Sequence, residues 1–342
     1  MIVLCGVIAG CDQWTTIEEY AKTKYDFLKT FLNLPNGIPS HDTFGDIFAK
    51  IDPLKFEACF LKWTLSVCQL TQGEVIAIDG KTLRGSYDRQ DKKASIHMVS
   101  AWANTNRLVL GQVKVDDKSN EITAIPQLIK LLVLKDCIVT IDAMGCQTDI
   151  ASLVVEAQAD YVLALKGNQP TLHQQVKESF ERELPTHTYT QPSLDHGRVE
   201  TRQYAVLTDL RWIETRWDWP GLHTLVRVES TVFHKLSQKT TREVRYYISS
   251  IKIVDRQVDT EKIARAVRGH WGIEVPLHWS LDVSFNEDKS RVRKGYSDQN
   301  LSAVRKIGLN LLRHEPTVKR GIKTKRMKAG WDDAYLKAVL RV

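Results

Sequence analysis

The sequence lacks the cysteine pattern of a disulfide-stabilised or zinc-binding protein. Its six cysteines are scattered and include no C-x-x-C pair: Cys5, Cys11, Cys59, Cys68, Cys137 and Cys146. Structural zinc sites need closely spaced thiolates, and small secreted domains need paired cysteines. The spacing therefore argues against structural zinc and predicts reduced thiols in a cytoplasmic protein.

Long apolar runs, internal repeats, low-complexity tracts and heptads are also missing. The apolar start MIVLCGVIAGC is short, has no basic segment before it and runs into Asp12. A membrane span needs about 20 apolar residues, and a secretory signal needs a basic start. We therefore expect a buried helix here and no membrane partner.

Charge of neither sign dominates the chain. The 342 residues include 48 Lys and Arg against 41 Asp and Glu, which gives a formal net charge of +7. A moderate positive charge permits a polyanionic partner without requiring one. The length allows one large domain with an accessory domain, or two domains.

One stretch carries the first chemical signal. In EVIAIDGKTLRGS, four apolar residues typical of a buried strand are followed at once by Asp79 and Gly80, and then by Lys81 and Arg84. A carboxylate at the end of a buried strand beside basic residues suits a divalent metal that binds a phosphate. Alternatively, Asp79 has no chemical role and simply marks the end of the strand, since that case gives the same sequence pattern.

The pattern recurs in CIVTIDAMG, where Asp142 follows a second apolar run. Two adjacent strands that end in aspartate, with a third acid supplied by a later helix, would form a carboxylate cluster. A protein core does not tolerate such a cluster unless a cation neutralises it. The recurrence therefore favours a metal site.

The remaining periodicity predicts a helical start and a mixed sheet. Helices are expected over residues 17–32, 41–51 and 54–70, where a helix-turn-helix and a plain helical cap both fit. Strands in SIHMVSAWAN and RLVLGQVKVD, helix 121–132, the Asp142 strand, helix 148–158 and strand 160–166 follow. This order is that of an α/β, ribonuclease H-like mixed sheet flanked by helices.

Several long strings resemble a known family. VIAIDGKTLRGS, TIDAMGCQ, YVLALKGNQPTLH, DHGRVETR and HWGIEVPLHWSLDVSFNED are similar to the transposases of ISAs-type insertion sequences, which include the H-repeat-associated proteins. The resemblance spans nearly the whole chain. It implies a transposase-associated N-terminal domain (residues 1–70), a ribonuclease H-like DDE catalytic domain (71–342), and metal-dependent cutting and joining of double-stranded DNA at element ends and target.

The third acid of the DDE set falls on Glu274, which lies 132 residues after Asp142. Alternating segments between them, RVETRQYAVLT, TLVRVESTVFH and TTREVRYYISS, predict a β-rich insertion at about 190–252. Related transposases carry such an insertion ahead of the glutamate helix. The spacing and the resemblance therefore agree.

The helix around Glu274 has two interpretations. His270, Glu274, His278 and Asp282 recur every four residues, which would place a metal-capable row on one helix face. Pro276 would then place Glu274 in the first turn. In the alternative interpretation, Trp271, Val275 and Trp279 form a buried stripe and the polar row is only the solvated face.

The chain departs from related DDE enzymes at the residues that handle phosphate. The expected Tyr, Arg and Lys positions hold Val267, His270 and Leu281. We therefore assign phosphate binding to Arg268 and His270. Asp282 and Glu287 are the alternative candidates for the third catalytic acid, should Glu274 not fill that role. Further DNA-binding candidates are Lys81, Arg84, Lys166, Arg291, Arg293 and Lys294. A cluster of basic residues near the C-terminus forms either a DNA clamp or a solvated tail. Its members are Lys319, Arg320, Lys323, Lys325, Arg326 and Lys328.

The predicted mechanism is phosphoryl transfer at two Mg²⁺ ions, with Mn²⁺ as a substitute, held by Asp79, Asp142 and Glu274. Two alternatives stay open. One is a ribonuclease H-like nuclease that does not join strands, and the other is a catalytically inactive DNA-binding remnant. Transposases of this kind often act as dimers, so a homodimer is a further expectation.

Overall fold

The predicted Asp79 strand is shared by two structural units. The computed structural model describes residues 1–68, 70–87, 94–116, 119–195 and 197–342. Unit 1 comprises Met1–Gln69, Gly80–Asn120 and Ile273–Val342, and unit 2 comprises Leu70–Asp79 and Glu121–Gly272. The chain therefore leaves unit 2 directly after Asp79.

The secondary structure of the described residues alternates between helical and β-rich segments. The helices are α1 (Ile2–Ile8), α2 (Trp14–Thr23), α3 (Tyr25–Leu28), α4 (His41–Lys50), α5 (Pro53–Val67), α6 (Glu121–Leu131), α7 (Thr148–Glu156), α8 (Pro170–Arg182), α9 (Arg256–His270), α10 (Ser280–Ser284), α11 (Ser297–His314), α12 (Ile322–Trp331) and α13 (Asp333–Leu340). The strands are β1 (Val75–Thr82), β2 (His97–Ala103), β3 (Leu108–Lys114), β4 (Ile138–Ile141), β5 (Asp160–Leu165), β6 (His187–Asp195), β7 (Arg198–Leu207), β8 (Thr224–His234) and β9 (Lys239–Ser249).

Local capping sets the helical start of unit 1. The Ser40 hydroxyl accepts from the backbone N–H of Thr43 and begins α4, while the Asp52 carboxylate accepts from two backbone N–H groups and begins α5. The predicted single helix over residues 17–32 is divided, because Lys24 leaves the α conformation between α2 and α3. The β2–β3 hairpin and the end of β1 complete the β part of this unit.

Unit 2 is built on a mixed sheet in the order β1-β4-β5-β9-β8-β7-β6. Strands β1, β4 and β5 run parallel, and every later pairing is antiparallel. The residues of β1 from Val75 to Ile78 and all of β4 are buried, as their unbroken apolar runs predicted. Ile263, Ala264 and Val267 of α9 pack with sheet residues in one apolar core.

The predicted fold class, α/β with a mixed sheet flanked by helices and a β-rich segment before the Glu274 region, is confirmed. That segment is the antiparallel meander β6 to β9, in which strands of nine to eleven residues extend the sheet edge. Within the described residues, no helix has both the length and the apolar character that a membrane crossing requires.

Candidate active site

The parallel pairing of β1 with β4 places two acids side by side. Ile78 pairs with Ile141, and the next residue of each strand is Asp79 and Asp142 respectively. Both aspartates are half-buried and lie where the parallel β1–β4 pairing ends, although β1 itself continues past Asp79 to Thr82 while Asp142 directly follows β4. In open α/β sheets this edge is where ligands bind.

The loop after Asp142 is held by its own hydrogen bonds and by the turn after β5. The Asp142 carboxylate accepts from the backbone N–H of Met144 at 3.0 Å and of Gly145 at 3.2 Å. Asn168 donates to the Ala143 carbonyl, and Gln169 donates to the Cys146 carbonyl at 3.0 Å. The turn that begins at exposed Lys166 therefore lies at the Asp142 end of the sheet.

The loop after Asp142 leaves no space for a side chain at Gly145. A Cβ at residue 145 would lie 2.3 Å from Ile141 Cγ2 and 3.0 Å from Ile125 Cδ1, both in the core. We expect Gly145→Ala to lower the free energy of unfolding by about 1–3 kcal/mol, because a methyl group has no space there. Gly167→Ala is the control, since no atom lies within 4 Å of its Cβ. Equal urea midpoints for the two variants would contradict this packing.

The last turn of α9 carries two predicted phosphate-handling residues. His270 is half-buried, and its Nδ1 lies 3.2 Å from the Thr140 hydroxyl, two residues before Asp142. Burial lowers the pKa of His270, and the nearby Asp142 carboxylate only partly opposes that effect. Arg268 in the same turn is exposed. The turn therefore presents a neutral imidazole to the Asp142 strand and a guanidinium to solvent.

Glu274 lies in unit 1, in a π-helical segment, Ile273–Trp279, that also contains Pro276. Its side chain is exposed. The predicted four-residue row is interrupted, because α9 ends at His270 and the chain continues with wider turns. A π-helical turn of this kind is common at functional sites.

The alternative buried stripe is wrong. Trp271, Val275 and Trp279 are 39%, 62% and 56% exposed. The residues that face the core are instead Ile273, Leu277 and Leu281, each fully buried. The periodicity was therefore correct but its register was off by two residues, which leaves two tryptophans on the surface.

The reserve acids Asp282 and Glu287 surround a cation of the same unit. Lys81 Nζ donates to the carboxylate of Asp282 and, at 2.9 Å, to that of Glu287, and lies 3.6 Å from Asp288. Burial would lower the pKa of Lys81, but these acids more than compensate and raise it. Lys81 is therefore a partner of protein carboxylates, and Asp282 and Glu287 are its counterions.

Glu287 is the centre of this buried cluster. Its side chain has no exposed area, and the Ser302 hydroxyl donates to it at 3.0 Å. Burial would raise the pKa of Glu287, but Lys81, Lys306 and Arg305 outweigh it and lower that pKa to about 2. Glu287 therefore links Lys81, near the end of β1, to Ser302 of α11.

The other predicted DNA-binding cations differ in how far they are already engaged. Arg84 and Arg291 are exposed, and Arg84 lies 3.6 Å from Asp288. Arg293 donates to the Gly85 carbonyl at 3.1 Å and stacks on a tyrosine ring. Lys294 pairs with Asp46 at 2.5 Å on the surface. Arg84 and Arg291 are therefore the more available of these four side chains.

The C-terminal basic run is only partly a surface feature. Lys325 is buried and donates to the carbonyls of Leu312 and Glu315. Arg326 is also buried, where it donates to the Val7 carbonyl and to Asp12. Both the clamp and the solvated-tail interpretations are therefore wrong for these two side chains, because backbone carbonyls at helix ends accept their hydrogen bonds in the interior.

A basic groove in unit 1 was not predicted. It has a volume of about 850 Å³, and Val275 and Trp279 of the π-helical segment line it together with Arg107, Lys319 and Arg320. The sequence signals for this groove were Trp279 and the cations Lys319 and Arg320. The groove was missed because Trp279 also fitted the predicted buried stripe.

The donor set of the aspartate pair fits a hard divalent cation. In the part of the chain that the structure describes, no three His, Cys, Asp or Glu residues form a metal-binding group. Asp79 and Asp142 supply carboxylate oxygens, which Mg²⁺ prefers. Burial raises the pKa of the nearby Cys146 thiol to about 12, and the Asp142 carboxylate adds to that effect.

Comparison with known proteins places this arrangement in a family. Residues 1–64 match the DDE_Tnp_1-associated family, and residues 70–311 match the Transposase DDE domain family. The chain is 43% identical over 346 residues to the putative transposase YncI of Escherichia coli O157:H7, across 99% of this chain and 87% of that protein. It is 40% identical over 347 residues to the H repeat-associated putative transposase YhhI of Escherichia coli strain K12, across 99% and 90% respectively.

A solved piggyBac transposase synaptic complex with hairpin DNA covers all of this chain and 72% of its own, at 11% identity and a TM-score of 0.43. The family match covers well over half of the chain and includes both Asp79 and Asp142. The chain therefore belongs to the DDE transposase family.

Proposed function

We propose that this transposase cuts and joins DNA strands at the ends of an insertion sequence, with Asp79, Asp142 and Glu274 as its catalytic acids. The observation that carries the proposal is the β1–β4 register, which pairs Ile78 with Ile141, the residues directly before the first two acids. The family depends on divalent metal in general. We infer Mg²⁺, with Mn²⁺ as a substitute, because these ligands are hard oxygens.

Two of the proposed acids have structural support of their own. Asp142 is fixed by two backbone N–H groups, which leaves its second oxygen for a cation. Glu274 is exposed on a π-helical segment, so its carboxylate is accessible. Bound ions would activate the attacking oxygen and stabilise the leaving oxygen of the phosphodiester. His270, held by Thr140, would position the strand end beside Asp142.

DNA backbone contacts would come from exposed cations on both units. In unit 2 these are Lys166 and Arg268, and in unit 1 they are Arg84, Arg291, Lys319, Arg320 and Lys323. Such contacts add affinity with little sequence preference. We further infer that the helices of residues 1–70 form the associated domain, that residues 71–342 form the catalytic domain, and that the protein acts in the cytoplasm as a homodimer on paired ends.

Strand joining tests this function. The purified chain, Mg²⁺, precut element ends and a supercoiled target plasmid should yield joined products whose formation stops when EDTA is added. Nicking without joined products would overturn the transposase proposal and favour a structure-directed nuclease. Absence of both reactions, with DNA binding retained, would favour a catalytically inactive DNA-binding protein.

A further inference from the structure

A cleft of about 460 Å³ opens on one face of the β6–β9 meander. Side chains of a strand alternate between faces, so β7 presents Arg198, Glu200, Arg202 and Tyr204 to the same side. Cross-strand pairing adds Arg245 and Tyr247 of β9 to this face. All of these residues line the cleft.

Positive charge exceeds negative charge in this cleft. Four arginines and two glutamates direct their side chains to this face: Arg198, Arg202, Arg245, Arg268, Glu200 and Glu243. Arg242 also lines the cleft, but its side chain pairs with Glu229 on the opposite face of the sheet. Glu200 lies 2.5 Å from Arg202, and Glu243 lies 2.8 Å from Arg245. Arg268 makes no ion pair with any described residue of the chain. The lining therefore favours an anionic ligand.

A buried hydroxyl at the floor of the cleft lacks a partner. Tyr204 is fully buried, and its hydroxyl has no hydrogen-bond partner among the described residues. Buried polar groups in native proteins are nearly always satisfied. Since Tyr204 lines the cleft, a ligand that enters it could supply the missing partner.

An aromatic side chain stands at the mouth of the cleft. Trp271 is 39% exposed, and the Arg245 guanidinium lies 4.8 Å from its ring centroid. Cations that follow a backbone, combined with an aromatic face on which a base can stack, characterise single-stranded nucleic acid sites. The volume is that of a small-ligand pocket, which is too small for a duplex.

We propose that this arginine cleft binds a single DNA strand, with phosphates on Arg245 and Arg268 and a base against Trp271. The proposal rests on DNA being the substrate. The last turn of α9 carries Arg268 at the cleft and His270 beside Thr140, and Trp271 directly follows that turn. A strand held in the cleft would therefore extend toward the Asp142 end of the sheet.

Fluorescence anisotropy with a labelled single-stranded oligonucleotide, in EDTA, tests the cleft. The double variant Arg245→Gln/Arg268→Gln should bind about tenfold more weakly, and its log Kd against log salt slope should fall by about 1.4, since each lost contact to a single strand removes about 0.7. Trp271→Ala should lose affinity on the order of tenfold. Glu243→Gln should bind more tightly, because it removes a like charge.

Arg211→Gln is the matched control, because Arg211 is exposed and pairs with Asp209 away from the cleft. Its affinity should equal that of the unmodified chain. Unchanged single-strand binding in the double variant, or weaker binding in Glu243→Gln, would overturn the proposal. Loss of duplex binding alone would reassign the cleft to duplex DNA and equally overturn it.

The outcome is separable from that of the proposed function. Asp142→Asn should bind the single strand normally, because residue 142 does not line the cleft. Normal single-strand binding in the cleft variants, together with cleavage lost in Asp142→Asn, would remove the cleft and leave the catalytic proposal intact. Weakened single-strand binding in the cleft variants, together with cleavage retained in Asp142→Asn, would support the cleft and remove Asp142 from the catalytic proposal.

Discussion

Asp142→Asn should reduce metal-dependent DNA cleavage by at least about 10³-fold. An amide cannot supply the negative charge that holds a divalent cation, and the ions contribute several kcal/mol of transition-state stabilisation, of which each 1.36 kcal/mol is tenfold in rate. The backbone N–H groups of Met144 and Gly145 can still donate to the amide oxygen, so the loop should keep its structure. Asp79→Asn and Glu274→Gln should have the same effect.

The control for this substitution is Asp149→Asn. Asp149 is exposed in the first turn of α7, seven residues after Asp142, so the change removes the same charge without touching the proposed site. Rates should be measured by gel electrophoresis with Mg²⁺ and with Mn²⁺, and DNA affinity by anisotropy. Cleavage within tenfold of the unmodified rate in any one of the three variants would remove that residue from the catalytic set.

Glu287→Gln should lower the free energy of unfolding of unit 1 by about 3–5 kcal/mol. The substitution leaves three cations, Lys81, Arg305 and Lys306, without the carboxylate that all of them face. Breaking a buried ion pair from one side is costly, because the remaining charges stay desolvated. The melting temperature should fall by roughly 6–20 °C.

The pH dependence of stability has the corresponding sign. Because the folded-state pKa of Glu287 is lowered to about 2, below the ordinary value of 4.5, its contribution is present above pH 4.5. That contribution is lost as the pH falls from 4.5 toward 2. The stability difference between the unmodified chain and Glu287→Gln should therefore shrink over this interval.

Glu178→Gln provides the comparison for Glu287. Glu178 pairs with Arg182 on the surface of α8, where such a pair contributes about 0–1 kcal/mol. Urea titrations of both variants at neutral pH give the two free energies. A loss for Glu287→Gln no greater than that for Glu178→Gln would show that the buried cluster is not required for stability.

The two aspartate strands could be predicted because their signal is local. Val75 to Ile78 and Ile138 to Ile141 are apolar runs that must be buried on both faces, and each ends directly in aspartate. Parallel pairing in register then follows from the sheet, and the acids lie side by side. The β meander was visible for the same reason, since alternation is a property of neighbouring residues.

The surroundings of Glu274 could not be predicted, because they depend on contacts distant in sequence. A π-helical segment replaces a regular helix, and the core selects Ile273, Leu277 and Leu281 rather than Trp271, Val275 and Trp279. Both sets have the same spacing. Only packing against other elements distinguishes them.

The roles of basic residues were equally hidden. Lys81 and Arg326 look like DNA ligands in the sequence, but the first is surrounded by acids and the second fills a site on the Val7 carbonyl. The arginines of β7 could have been found, since R-x-E-x-R-x-Y places four polar residues on one strand face. That alternation predicts a polar, charged sheet surface rather than a core.

The central claim is that Asp79, Asp142 and Glu274 share divalent cations. The most direct measurement is a crystal structure of the chain with Mn²⁺ and an element-end DNA, in which anomalous scattering locates each manganese. The account predicts manganese ligated by the carboxylates of residues 79, 142 and 274, next to the scissile phosphate. Manganese bound by residues 79 and 142, with the carboxylate of residue 274 directed elsewhere, would contradict it.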